Sequence, residues 1–346
     1  MSHPLSVPSL SPQAFLKKAE QASLPIADVR SPGEYQEGHI PGAVNLPMFD
    51  DEERKEVGII YKKEGREAAI RKGLAIVGPN MLSYLDQAQA LAQGGPLLLH
   101  CWRGGMRSGS MAWLFQTAGL EVATLAGGYK AYRQHQHAFF QQAWDLRVVG
   151  GATGTGKTAI LKALREQGEQ VLDLEALARH KGSAFGSIGQ AKQPTVKQFE
   201  NDMSQALSQL DPSSVVWIED ESHAIGRVYI PVPFWHQMLA AQFFLLELPK
   251  PQRMARLLRE YGSADKKALK EAMGNIQKRL GGLAHQQAIQ SLDEGDVSSA
   301  AELALVYYDK AYQHGVSKRN PDSLTRVPLT QDDPKHTAQL LRSLIS

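Results

Sequence analysis

A single cysteine, Cys101, stands among 346 residues. That scarcity excludes an internal disulfide framework and a cysteine-based zinc site. A thiol with no partner in its own chain passes a group on rather than cycling between dithiol and disulfide. No apolar run approaches the ~20 residues of a membrane helix. The polar stretch at residues 4–12 lacks the apolar core of a signal peptide. A cytoplasmic protein with no membrane partner and no structural metal is therefore expected. Charge of one sign is also lacking. The 38 Lys and Arg residues against 36 Asp and Glu leave a formal net charge of +2, too little to mark the whole chain as nucleic-acid-binding. What is present suits a globular chain long enough for two domains, with 42% hydrophobic and 21% charged residues.

The apolar run Leu97-Leu98-Leu99-His100 ends at Cys101. The basic, glycine-rich loop Trp102-Arg103-Gly104-Gly105-Met106-Arg107-Ser108 then leads into a helical pattern over residues 111–115. A thiol between a strand end and a helix start sits among backbone N–H donors at the positive end of the helix dipole. Arg103 and Arg107 add positive charge, and both effects favour thiolate. The plainer alternative is a buried, inert thiol, against which the basic flank argues.

Gly151-Ala152-Thr153-Gly154-Thr155-Gly156-Lys157-Thr158 matches the phosphate-cradling pattern G-x-x-x-x-G-K-[ST]. Val148 and Val149 precede it as a short strand, and Ile160, Leu161 and Leu164 follow at helical spacing. In that context backbone amides wrap a phosphate chain, Lys157 reaches the terminal phosphates and Thr158 is available to Mg²⁺. The loop alone does not name the nucleotide or diphosphate. Residues 215–221, an apolar run closing on Glu219, Asp220 and Glu221, have the form of a Walker B strand. Glu219 is the first candidate, and Asp220 the second, for Mg²⁺ or acid–base work. The alternative is an ordinary charged strand cap.

Charge distribution says more than net charge. Residues 250–282 hold nine Lys and Arg against three Asp and Glu, or +6. Arg253, Arg256, Arg259, Lys266, Lys267 and Lys270 form a helical basic region, which is either an RNA-backbone contact or a solvated face. The glycine-rich stretch at residues 179–189 is either a clamp on phosphate or RNA, or a mobile surface loop. The domains are expected at 8–140 and 141–346, joined by a helix within 132–145. Helical pattern continues through 300–312 toward the C-terminus, broken at Pro321 and Pro328. Mixed charge over residues 50–80 suggests surface helices.

Upstream of the cysteine stand Asp28-Val29-Arg30, then Glu34-Tyr35, then Gly38-His39-Ile40-Pro41-Gly42-Ala43-Val44-Asn45-Leu46-Pro47; downstream stands Leu125-Ala126-Gly127-Gly128. In this order, around the Cys101 loop, they resemble the rhodanese fold. The resemblance implies a persulfide, or its selenium equivalent, on Cys101, cradled by the amides of residues 102–106. His39, Pro41 and Asn45 are read as turn and packing residues, and Asp28 with Arg30 as an ion pair bracing the loop.

The chain as a whole, with Glu56-Val57-Gly58, Cys101-Trp102-Arg103-Gly104-Gly105-Met106-Arg107-Ser108, Gly182-Ser183-Ala184-Phe185-Gly186, Gln198-Phe199-Glu200-Asn201 and Glu219-Asp220-Glu221-Ser222, resembles the tRNA 2-selenouridine synthase family. The fold so implied is α/β throughout: a rhodanese-like domain, then a P-loop NTPase-like domain with a basic helical C-terminal region. The implied reaction replaces sulfur by selenium at C2 of wobble 2-thiouridine in tRNA. It passes through an S-geranyl intermediate, with geranyl diphosphate and selenophosphate as substrates. A selenophosphate-supplying enzyme is a further partner the resemblance allows. Whether ATP occupies the P-loop stays open. So do two other classes: an ATP-dependent kinase or RNA thiolase with a fused rhodanese, and a non-catalytic persulfide-responsive switch.

Overall fold

A computed structural model describes residues 7–345; of the polar stretch at 4–12, residues 4–6 lie outside them. Contacts divide the chain into two compact units, 1–139 and 140–346. The first unit runs β1 (Ser9–Leu10), α1 (Pro12–Gln21), β2 (Ile26–Asp28), α2 (Pro32–Glu37), β3 (Val44–Asn45), α3 (Asp51–Lys63), α4 (Arg66–Ala92), β4 (Leu97–His100), α5 (Met106–Thr117), β5 (Val122–Leu125) and α6 (Gly128–Gln141). The last helix reaches two residues into the second unit.

The first sheet has the order β1-β5-β4-β2-β3 with every pair parallel. A parallel strand covered on both faces reads as an unbroken apolar run, and all four residues of β4 are buried. Leu97 and Leu99 join a core with Met111 and Phe115 on one face. Leu98 joins Phe15, Tyr129 and Tyr132 on the other. Chain direction diverges between β4 and β2, and Cys101 follows β4 at the carboxyl end of that switch, where open α/β sheets bind ligands. The 50–80 segment does form helices, α3 and the start of α4. Asp50 and Glu53 close α3 with reciprocal bonds of 2.7 and 2.9 Å.

The second unit runs β6 (Asp145–Gly151), α7 (Lys157–Glu166), β7 (Gln170–Leu172), α8 (Leu174–Ala178), α9 (Val196–Ser208), β8 (Val215–Glu219), β9 (Ala224–Ile225), β10 (Val228–Tyr229), α10 (Val232–Ala240), β11 (Gln242–Glu247), α11 (Lys250–Tyr261), α12 (Lys266–Asn275), α13 (Gln277–Leu280), α14 (Gly282–Glu294), α15 (Val297–Val316), β12 (Leu324–Pro328) and α16 (Pro334–Ser343). Its parallel sheet is ordered β12-β11-β6-β8-β7. The helical C-terminal region expected from the sequence, broken at Pro321 and Pro328, also carries the strand β12. This strand was obscured because it lies at the sheet edge, has only Val327 buried, and ends at Pro328, which an edge tolerates. Helices α12, α14 and α15 gather a separate apolar cluster around Leu269, Met273, Leu292 and Ala304.

The D-x-R motif braces the first unit. Arg30 is fully buried, with its Nε 2.9 Å from Asp28 Oδ1 and its Nη2 2.5 Å from Oδ2. Nη2 also donates to the Gly38 carbonyl at 2.8 Å, and the guanidinium lies 3.9 Å from the Tyr129 ring centroid. Asn45 donates to the carbonyls of Asp28 and Arg30, both at 2.9 Å. Removing one partner of a buried pair strands the other charge. Asp28→Ala should therefore destabilise the first unit by about 3–5 kcal/mol in denaturant unfolding; a change below about 1 kcal/mol would contradict this role.

Candidate functional site

Two loops, each following an inner strand of its sheet, carry the candidate chemistry. Cys101 is 3% exposed, one residue beyond β4. The Ser108 hydroxyl donates to its Sγ at 3.2 Å. Burial pushes the thiol up. The Ser108 hydroxyl, with the backbone amides of Ser108, Arg103 and Gly105, more than offsets this and leaves the thiol below its usual range. The arginines contribute less than their positions suggest. Arg107 is spent on Glu34, with bonds of 2.6 and 3.2 Å, and Arg103 points into solvent. Thiolate is thus favoured by hydrogen bonds rather than by arginine charge, which corrects half of the electrostatic expectation. Ser108 was visible in sequence only as a loop residue.

The closing glycines explain how the loop is held. The Tyr129 amide donates to the Cys101 carbonyl at 2.8 Å, and that of Lys130 to the Trp102 carbonyl at 3.0 Å. At Gly128, φ is +61° and a Cβ would fall 2.4 Å from both the Cys101 carbonyl oxygen and the Gly104 nitrogen, so only glycine lets the two turns meet. Trp102 tilts against Tyr129 at 5.8 Å, while Met106 is exposed near Arg66. His100, fully buried and 3.6 Å from Asp28, is brought down to about 4 by burial and is neutral near pH 7.

In the P-loop, β6 ends at Gly151 and α7 starts at Lys157. Lys157 donates to the Gly151 carbonyl at 3.0 Å, and buried Thr155 to the Ala152 carbonyl at 2.7 Å. Thr158 donates to Glu175 Oε2 at 2.9 Å. Arg253 donates to the Thr153 carbonyl at 3.1 Å while its two terminal nitrogens grip Asp309, both at 2.7 Å. A Cβ on Gly156 would lie 2.6 Å from the Arg256 guanidinium, so α11 lies directly against the loop.

These contacts revise the basic region. Arg253 is 7% exposed and carries the P-loop backbone, so it is withdrawn from an RNA-facing role. Arg256 is paired with Asp332 and is also largely covered. Lys270 pairs with Asp293, and the Lys266 ammonium donates to the Asp293 carbonyl at 2.9 Å. Arg259, though also paired with Asp332, keeps an exposed side chain, as do Lys266 and Lys267. The local excess of +6 is largely offset by acids distant in sequence.

The carboxylates are also redistributed. Glu219 is buried and accepts from the Glu175 amide at 2.7 Å, and its Oε2 has no hydrogen-bond partner among the described residues. Burial and the nearby Asp173 push it well above the carboxylate range. Asp220 is engaged by Arg319 at 2.5 Å and by the Tyr312 hydroxyl at 3.0 Å. That hydroxyl also accepts from the Gly151 amide at 2.6 Å. Glu175, which sequence reasoning passed over, meets Thr158, and Glu221, seen there only as the end of the carboxylate run, feels the Lys157 charge. Burial and Glu175 raise Glu221 to about 8 against the pull of Lys157. Thr158 and Glu175 offer the hard oxygen donors that Mg²⁺ takes beside a phosphate chain. Among the described residues, no group of three His, Cys, Asp or Glu side chains could hold a metal ion.

The 179–189 stretch is more than a plain surface loop. Ala184, Phe185 and Ile188 cover the apolar cluster of α12, α14 and α15, and Gly182 lies against the Glu221 carboxylate. Two cavities flank the P-loop. One, about 50 Å³, is almost wholly apolar and includes Thr153 in its wall. The other, about 880 Å³, touches Ala152 and Thr155 and carries Arg253, Arg319, Arg326 and Asp309. Among the described residues, no helix is long and apolar enough to cross a membrane.

Fold and sites define a rhodanese-like domain followed by a P-loop domain in one chain. Residues 11–135 match the model of the rhodanese-like domain, and residues 144–342 that of the tRNA 2-selenouridine synthase AAA domain. A tRNA 2-selenouridine synthase from Shewanella loihica is 36% identical over 332 residues, covering 85% of this chain and 88% of the relative. That of Bdellovibrio bacteriovorus is 33% identical, covering 91% and 95%. That of Chromohalobacter salexigens is 34% identical, covering 92% and 94%. The chain belongs to the tRNA 2-selenouridine synthase family.

Because Cys101 is the sole cysteine, alkylation followed by intact mass reads this thiol alone. Ser108→Ala should raise the midpoint of its alkylation pH profile by roughly 0.5–1 unit, the worth of one hydrogen bond; an unmoved midpoint would remove Ser108 from the site. Glu221 is raised from the ordinary 4.5 to about 8, so its contribution to stability is full below the lower value and lost as pH rises through the upper one. Glu221→Gln should therefore gain Tm over the wild type progressively from about pH 5 to about pH 8.5. Parallel Tm curves would contradict the shift.

Proposed function

We propose that the protein is a tRNA-modifying transferase that exchanges the C2 sulfur of wobble 2-thiouridine for selenium in two steps. The observation that carries this reading is the pairing, in one chain of this family, of an amide-cradled thiol at Cys101 with a P-loop whose Lys157 ammonium reaches back to the Gly151 carbonyl of the loop. Thiouridine sulfur is a poor leaving group, and alkylation makes it a good one. In the first step the sulfur attacks C1 of geranyl diphosphate, the C1–O bond breaks and diphosphate leaves with the electron pair. The amides of residues 151–156 and the Lys157 ammonium hold that diphosphate and offset its growing charge. Mg²⁺, if held by Thr158 and Glu175, would supply further charge neutralisation there.

In the second step the selenium of selenophosphate adds to C2, the C2–S bond breaks and geranylthiolate departs with the electron pair; the Se–P bond then breaks as water takes the phosphoryl group, leaving selenouridine and inorganic phosphate. Cys101, with Trp102, Arg103, Gly104, Gly105, Met106 and Arg107 around it, is the delivery point. Its converging N–H donors suit a selenium anion as they suit a thiolate. Arg259, Lys266, Lys267 and Lys270 remain the cations that would meet the tRNA backbone. The tRNA substrate agrees with a cytoplasmic location.

Purified variants given 2-thiouridine tRNA, geranyl diphosphate and selenophosphate separate the steps by nucleoside mass spectrometry. Cys101→Ala should accumulate S-geranyl nucleoside and make no selenouridine. Lys157→Ala should weaken geranyl diphosphate binding about tenfold or more, the loss of a charge-assisted hydrogen bond. A folded Cys101→Ala protein that makes neither product would overturn this division of labour.

A further inference from the structure

The apolar cavity beside the P-loop is unexplained by phosphate binding. It lies within the second unit, where α11, α12 and α15 converge under the loop that carries Phe185. Thr153 is among its lining residues, so the phosphate loop contributes to its wall. Leu257 lines it and lies 3.1 Å from where a Cβ of Gly154 would stand, which leaves no layer between loop and cavity. Ala300 and Ala304, one turn apart on α15, open the room that larger side chains would fill. Protein interiors normally close such voids, and an apolar one stays dry and takes hydrocarbon.

The larger cavity that also touches the loop is unsuited to that cargo. The larger cavity presents Arg253, Arg319, Arg326 and Asp309, charges that hydrocarbon would desolvate at a cost. A nucleoside is equally unsuited to the small cavity. The hydroxyl of Tyr308, among the few polar groups there, already accepts from the Ala184 amide at 3.0 Å.

We propose that this cavity is the isoprenoid subsite: it takes the hydrocarbon of an allylic diphosphate whose phosphates lie in the P-loop. The inference rests on the reading that the P-loop binds a prenyl diphosphate, and adds where the tail goes and what limits its length. The cavity measures about 50 Å³. At about 10–15 Å³ per water-sized group, that is roughly four groups, or one five-carbon unit. A second unit requires the wall to yield. The yielding elements are Met273, unbranched and adaptable, and Phe185, which sits on a loop rather than in the helical frame. A third unit should not fit while Met273 is present.

The test measures binding of inorganic pyrophosphate and of dimethylallyl, geranyl and farnesyl diphosphates to the full chain. Ala304→Phe fills the cavity, and should weaken geranyl diphosphate by at least about tenfold while leaving pyrophosphate within about twofold. Met273→Ala enlarges it, and should raise farnesyl relative to geranyl affinity by about tenfold. If Ala304→Phe misfolds, shown by equal loss of pyrophosphate binding, the Met273→Ala ratio decides. The subsite is overturned, with the reading of the P-loop intact, if the wild type prefers geranyl diphosphate to pyrophosphate and the variants that fold leave that preference and the chain-length order unchanged. A wild type that binds pyrophosphate but gains nothing from any prenyl chain overturns both.

Discussion

Backbone N–H groups turned inward where a buried parallel strand gives way to a helix are the constraint on which both halves of this protein depend. A parallel sheet covered on both faces brings strand ends and helix starts to one edge. In the first unit that edge directs the amides of Arg103, Gly105 and Ser108 at a sulfur atom. In the second it wraps residues 151–156 into a cradle below Lys157. The chemistries differ, but the backbone device is the same; at the P-loop the Lys157 ammonium adds its charge to it.

Side-chain charge instead serves as scaffolding. Arg30 locks the turn between β2 and α2 onto Asp28, Arg107 is tied to Glu34, and Arg253 carries the P-loop from below while pinned by Asp309. Each pairing removes an arginine that would otherwise be free to meet a substrate. Each also leaves the amides oriented, which is what electrostatic stabilisation of a developing anion requires. The acids near the P-loop behave in the complementary way. Crowding and burial raise Glu219 and Glu221, while Glu175, hydrogen-bonded to Thr158, lies at the first turn of α7.

What was legible in the sequence was what is local. Cysteine, glycine and lysine at fixed spacing define both loops, and the rhodanese motifs recur in order along the first unit. The buried strands β4 and β8 show as apolar runs because both faces of each sheet are covered. What was not legible depends on chain closure. The Arg107–Glu34 pair spans 73 positions and the Arg253–Asp309 pair 56, so a basic run looked like an open RNA face when acids from elsewhere had already met it. Glu175 was hidden for the same reason, since nothing in the short helix α8 announces that it reaches the P-loop. Ser108 stood in plain view, but its hydroxyl acquires meaning only when one turn of α5 brings it over Cys101. Edge strand β12, barely apolar, is recognisable only by its pairing with β11.

The central claim is an ordered division of labour, alkylation at the P-loop and then substitution at the thiol loop. A time course of nucleosides from 2-thiouridine tRNA, taken with the wild-type protein, geranyl diphosphate and selenophosphate, tests it most directly. The account predicts that S-geranyl nucleoside rises first and falls as selenouridine appears, and that leaving out geranyl diphosphate abolishes selenouridine. Selenouridine formed at full rate without geranyl diphosphate would contradict it.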